Sequence, residues 1–252
     1  MKYIFPILLL AIFTSCLGDG VTDPNPIPDV GDIIIADGEI EKIPVQPGEI
    51  YHTVQLNNNL GFDLLIHFPD TLDNPALILA LHWAGYEEDY KTYGPCQAIA
   101  GLASTEAIIV VPSSPGGIWW NPQMDILMMD MLEKMITAWN VNPKQIALTG
   151  YSNGATATWL YADKYPDVFS AAIPVSGSYA NSFSFNIPLY VIHGENDELF
   201  SLTYTQGVID GSINKGSDIQ FIVADGRSHY EGCNFVPFLE GAADWLVEDV
   251  WK

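Results

Sequence analysis

The stretch Ile146-Ala147-Leu148-Thr149-Gly150-Tyr151-Ser152-Asn153-Gly154-Ala155 decides the reading of this 252-residue chain. Ile146 to Thr149 is a short apolar run of the kind that forms a buried strand, and Asn153 to Tyr165 reads as a helix. Between them stands the spacing G-x-S-x-G. Placed at a strand-to-helix junction, this turn is sharp. It forces the serine into a strained backbone conformation, and the flanking glycines remove the Cβ atoms that would clash. The hydroxyl then stands clear of the sheet at a helix N-terminus, where the dipole favours developing negative charge. Ser152 is therefore a candidate nucleophile; the plainer alternative is a Gly-rich helix start with Ser152 as its cap.

Working outward, the same alternation recurs. Tyr51 to Leu56 and Phe62 to Phe68 flank the cluster Asn57-Asn58-Asn59-Leu60-Gly61 and read as a hairpin. Ala76 to Leu81 is continuously apolar, as strands covered on both faces are. A helix is expected over 89–104, a strand over 107–111, a helix over 124–139, strands over 171–175 and 189–192, a helix over 203–214, a strand over 219–223 and a final helix over 235–250. Strands alternating with helices make βαβ units and a mostly parallel sheet with helices on both faces. The fold class is α/β, with the leading hairpin antiparallel at one edge.

A serine nucleophile needs a base and an acid, and in elbow folds they follow in the order acid, then histidine. Of the five histidines only His193 and His229 lie beyond Ser152. His193 closes the strand 189–192, ahead of where the acid must come, so His229, beyond the last buried strand, is the candidate base. The acid should follow strand 189–192, in His193-Gly194-Glu195-Asn196-Asp197-Glu198. Asp197 is the preferred carboxylate, to hold the imidazole in one tautomer; Glu195, Glu198 and Asp225 are the alternatives. Two backbone N–H groups should face a developing oxyanion. One is that of Asn153; the other belongs to His82-Trp83-Ala84-Gly85, with Ala84 preferred and Trp83 second. Trp119 and Trp120 follow strand 107–111, whose carboxyl end faces the site in an open α/β sheet. They are candidates to stack on a sugar or an aromatic acid, unless one of them packs in the core.

Several further pieces carry a family resemblance: Trp120-Asn121, Asp125, Trp139-Asn140-Val141-Asn142-Pro143, the elbow, Tyr165-Pro166 with Phe169, Pro174-Val175-Ser176-Gly177, His193-Gly194-Glu195-Asn196-Asp197 and His229. In this order they resemble the secreted polyhydroxybutyrate-depolymerase and feruloyl/acetyl-xylan-esterase group of α/β hydrolases, over nearly all of residues 50–250. Trp83 departs from that group's loop, which more usually begins His-Gly. The resemblance implies an α/β-hydrolase fold and hydrolysis of carboxylic esters without cofactor or metal. The segment between Gly177 and Pro188 leaves no room for a lid domain, so an open cleft for a small-molecule or polysaccharide ester is expected. A serine peptidase of the same fold and an inactive binding lipoprotein are the competing readings.

Composition bounds the partners. With 31 acids against 9 bases, the formal net charge is −22, and phosphate-binding basic patches are missing, so a nucleic-acid partner is not expected. Ile4 to Phe13 is an apolar run behind Lys2, too short to span a bilayer, and residues 1–15 read as a signal peptide. It ends in Phe13-Thr14-Ser15-Cys16, which resembles a bacterial lipoprotein signal, with Phe13 where Leu is usual. Cys16 is then the lipid-bearing residue and the sole membrane attachment. Plain secretion is the alternative, and either way the body is extracytoplasmic. The Pro-, Gly- and Asp-rich residues 16–32 make a tether, leaving 33–252 as the catalytic domain. Cys96 and Cys233 then remain, either as a disulfide or as two separate buried thiols.

Overall fold

The continuous apolar runs become the inner strands of a mixed sheet. The computed structural model describes residues 31–114 and 118–252; the expected signal peptide, Cys16 and the expected tether up to residue 30 lie outside the described residues. Strands β1 (Gly48–Gln55), β2 (Gly61–Phe68), β3 (Leu77–Leu81), β4 (Ile108–Pro112), β5 (Ile146–Tyr151), β6 (Ala171–Val175), β7 (Leu189–Asn196) and β8 (Ile219–Ser228) lie in the order β1-β2-β4-β3-β5-β6-β7-β8. β1 and β2 form the antiparallel hairpin, and β2 pairs antiparallel with β4. From β4 to β8 all pairing is parallel.

Alternation along each inner strand fills two cores. Leu77, Leu79, Leu81, Ile108, Val110, Ile146 and Leu148 face one side, with α3 (Pro122–Ala138) and α4 (Asn153–Lys164) packed over them through Met128, Met131, Trp159 and Tyr161. Ile78, Ala80, Ile109, Val111 and Ala147 face the other, beneath α6 (Val236–Trp245) and a helical run from Glu87 to Thr105. Each fully buried leucine or isoleucine in these layers is worth about 1.5–3 kcal/mol relative to exposure. α5 (Leu202–Ile213) follows β7, its first turn capped by Ser201 accepting from the Tyr204 N–H.

The helix expected over 89–104 is a chain of short segments. α1 (Tyr90–Tyr93) and α2 (Ile99–Leu102) flank a π turn, Gly94–Ala98, that contains Pro95. Proline lacks the N–H that a regular α-helix would use there, and the wider turn absorbs it. Gly94 sits where an added Cβ would come within 2.4 Å of the Leu65 side chain, so this run lies hard against β2. Its Cys96 is joined to Cys233 by a disulfide, with Cα atoms 5.1 Å apart. The final helix begins as a 3-10 turn, Gly232–Phe235, rather than at Phe235. No inserted domain stands between β6 and β7.

Candidate active site

Ser152 sits between β5 and α4 with φ 56° and ψ −112°. A side-chain-bearing residue in that region stores about 1–3 kcal/mol of strain, which the surroundings must hold. Two glycines make the turn possible. A Cβ on Gly150 would stand 2.4 Å from the Gly154 carbonyl, and one on Gly154 would stand 1.9 Å from the Leu81 oxygen. The elbow is therefore pressed against the end of β3, with the Ser152 N–H donating to the Val175 carbonyl at 3.0 Å.

Three sequence candidates meet here. Ser152 Oγ lies 2.8 Å from His229 Nε2, and His229 Nδ1 lies 2.8 Å from Asp197 Oδ2. A carboxylate only accepts, so Nδ1 carries the hydrogen and Nε2 is free to accept from the serine hydroxyl. The Asp197 side chain is fully buried. Its other oxygen accepts from the N–H groups of Leu199 and Phe200 at 3.0 and 2.7 Å, which aims Oδ2 at the imidazole. Burial alone would raise this carboxyl, but the hydrogen bonds from His229 and Phe200 outweigh it and hold it below the ordinary aspartate value.

The alternative acids are elsewhere. Glu195 accepts from the Gly226 N–H at 2.7 Å and Glu198 from the His229 N–H at 2.9 Å, while Asp225 is exposed. His193, the histidine set aside on chain order, is fully buried, and its Nε2 donates to the Phe200 carbonyl at 2.8 Å. Burial holds its imidazole below the ordinary histidine value.

Ser152 and His229 open into a cavity of about 610 Å³, lined also by Trp83, Ala84, Tyr151, Leu199, Tyr230 and Glu231. Asn153 opens α4 beside Ser152, among the first N–H groups that a helix leaves without an internal acceptor. Trp83 takes the place of the usual glycine by laying its ring edge-on against Tyr93 and Tyr151, at centroid distances of 5.6 and 6.1 Å. The His82 ring fixes this loop, its Nδ1 donating to the Trp83 carbonyl at 2.7 Å.

The tryptophans correct the sequence reading. Trp119 is fully buried and donates its Nε1–H to the His82 carbonyl at 2.8 Å, so it supports the loop from behind and is closed to any ligand. Trp120 is 44 % exposed but is not among the residues lining the cavity. Beside Trp83, the aromatic and apolar lining comes from Tyr151, Leu199 and Tyr230. Each of these three lies within two positions of Ser152, Asp197 or His229, and that adjacency is the signal the sequence offers. Among the described residues no three His, Cys, Asp or Glu side chains are grouped to hold a metal ion.

Comparison with solved structures places this architecture. The solved structure of a thermostable esterase superposes with a TM-score of 0.64 at 18% identity, covering 79% of this chain and 62% of that one. A ferulic acid esterase gives 0.65 at 16% identity, covering 81% and 98%. The fold is that of the α/β hydrolases. A model described as the dienelactone hydrolase family matches residues 117–230, a span that contains Ser152, Asp197 and His229. Acetylxylan esterase A of Emericella nidulans is 29% identical over 155 residues, 54% of this chain and 49% of that protein. This α/β-hydrolase chain thus resembles serine esterases of the acetyl-xylan and feruloyl type, and it spans about half the length of that curated relative.

Proposed function

We propose that this chain is a serine carboxylic-ester hydrolase working through an acyl-enzyme on Ser152. The observation that carries the reading is the unbroken relay from Ser152 through His229 to buried Asp197, opening into the cavity. As Ser152 Oγ attacks the ester carbonyl, its proton passes to His229 Nε2, and Asp197 stabilises the imidazolium. The oxyanion is met by the N–H groups of Asn153 and Ala84, with Trp83 the alternative to Ala84. Collapse expels the alcohol with the proton from His229. Water, deprotonated by the same nitrogen, then releases the acid and restores the serine.

Short-chain esters and polysaccharide-linked acetyl or feruloyl esters are the proposed substrates. Two features support them: no lid covers the cavity among the described residues, and its lining of Trp83, Tyr151, Leu199 and Tyr230 suits a short acyl or aromatic group. The names of the relatives point the same way. The body is proposed to work outside the cytoplasm, anchored through lipidated Cys16.

The test is turnover of 4-nitrophenyl acetate together with covalent labelling by a fluorophosphonate. Ser152→Ala should abolish both, leaving a residual rate of about 10³-fold over water from binding and the oxyanion donors. Retention of more than a few percent of the wild-type rate would remove Ser152 from the role. Cleavage of a peptide amide in preference to the ester would replace the esterase reading with a peptidase.

A further inference from the structure

We propose that Tyr151 and Glu198 are positioning residues that clasp the main chain of His229 from its two sides and thereby hold the imidazole in line between Ser152 and Asp197. The inference rests on the ester-hydrolase reading of this site and adds to it two polar groups, the Tyr151 hydroxyl and the Glu198 carboxylate, that are bonded to the main chain of His229 and not to Ser152.

The need for a clasp follows from where the sheet stops. The β7–β8 ladder ends at the pair Asn196↔Ser228, after a register shift. His229 is the next residue and lies beyond the ladder, so no sheet partner serves its N–H or its C=O. Yet it is 95% buried, and a buried peptide must find partners. The Tyr151 hydroxyl donates to the His229 carbonyl at 2.8 Å, and Glu198 Oε2 accepts from the His229 N–H at 2.9 Å. Both ring nitrogens are already committed to Ser152 and Asp197. The ring can hold that line only if its backbone is held too.

The sources of the two clasps are economical. Tyr151 immediately precedes Ser152, and Glu198 immediately follows Asp197. The segment carrying the nucleophile and the segment carrying the acid each supply one grip on the residue that must bridge them. Tyr151 is itself rigid: it is buried, with its ring edge-on to Phe235 at 5.4 Å and to Trp83 at 6.1 Å. Burial pushes its phenol well above the ordinary tyrosine value, so the hydroxyl remains a donor across the working range. Glu198 is solvent-exposed, where water competes for its oxygen, so it should be the weaker grip.

The experiment compares Tyr151→Phe, Glu198→Ala and Glu198→Gln with wild type on 4-nitrophenyl acetate, reading kcat and KM separately. The downfield proton resonance of the His229–Asp197 hydrogen bond is recorded alongside. Misplacing a reacting group by about 1 Å costs up to about 10²-fold, so Tyr151→Phe should lower kcat by about tenfold or more with KM changed less than about twofold. Glu198→Ala should fall by about three- to tenfold, and Glu198→Gln, which keeps an acceptor oxygen, should recover most of that loss. The resonance should broaden or vanish in the first two variants and persist in the third. A kcat within twofold of wild type for Tyr151→Phe, or equal damage from Glu198→Ala and Glu198→Gln, would overturn the clasp. Because the resonance does not depend on turnover, it judges the clasp even if the wild-type protein hydrolyses no ester, a result that would sink only the functional reading.

Discussion

Asp197 stands between two glutamates within reach of the same loop, and its place was decided by backbone geometry that no hydropathy pattern encodes. The sequence narrowed the acid to four carboxylates. What separates them is the turn at 197–200, where two N–H groups seize one oxygen of Asp197 and aim the other at His229. Asp197→Asn should therefore lower kcat by about 10⁴, against about 10⁶ for His229→Ala, because the imidazole survives in the first case but loses its tautomer partner. Glu195→Gln and Asp225→Asn should stay within a few fold of wild type. Steady-state kinetics on one neutral ester decides it: a larger loss from either of those than from Asp197→Asn would move the acid. Ser152 and His229 were legible because a motif and a chain order constrain them. Trp119 was not, since its indole N–H finds a carbonyl 37 positions away in sequence, and proximity to a strand end cannot distinguish a ring that faces the site from one that braces it.

At the scale of elements, the runs buried on both faces were the readable part. Leu77 to Leu81 and Ile108 to Val111 are apolar throughout because each side chain meets one of two cores. β7 and β8 were read short, as 189–192 and 219–223, because their last residues are polar. Pairing, not hydrophobicity, carries them on to Asn196 and Ser228, and that extension delivers Asp197 and His229 to the same place. The Cys96–Cys233 bond acts at this level too. It ties the run after the loop at 82–85 to the turn after His229 and spans 137 positions of chain. By the chain-entropy estimate, closing so long a loop is worth about 4–5 kcal/mol, and native disulfides commonly deliver about 2–5 kcal/mol. Replacing both cysteines by alanine should cost stability in that range, read as a lower unfolding free energy in guanidinium. An unchanged free energy would mean that the packing of α6 on the run Glu87–Thr105 already does all the work of the bond.

For the whole molecule, charge and compartment set the terms. If Cys16 carries the anchor, Cys16→Ser should move the protein from the detergent phase to the aqueous phase with unchanged kcat and KM, since each buried acyl CH₂ contributes about 0.8 kcal/mol and the chemistry lies in the body. Unchanged partitioning would mean secretion without lipid. Acidity tests the body itself. Burial holds His82 and His193 below the ordinary histidine value of 6.5, and Asp197 is held below 3.8. A depressed histidine means that the unfolded chain binds protons that the folded chain refuses, so stability is full above 6.5 and is lost as pH falls toward the folded value. The depressed aspartate has the same sign, but its window opens only below 3.8. Acidification also relieves the repulsion among 31 acids, which works in the opposite direction and hides the histidine effect in wild-type protein alone. His193→Gln separates the two, because its amide can still donate to the Phe200 carbonyl and it shares the background charge while no longer titrating. The stability advantage of wild type over this variant should therefore shrink between pH 7 and pH 5, measured as unfolding free energies at matched ionic strength. Parallel curves would mean that His193 takes up its proton as readily in the folded protein as in the unfolded chain.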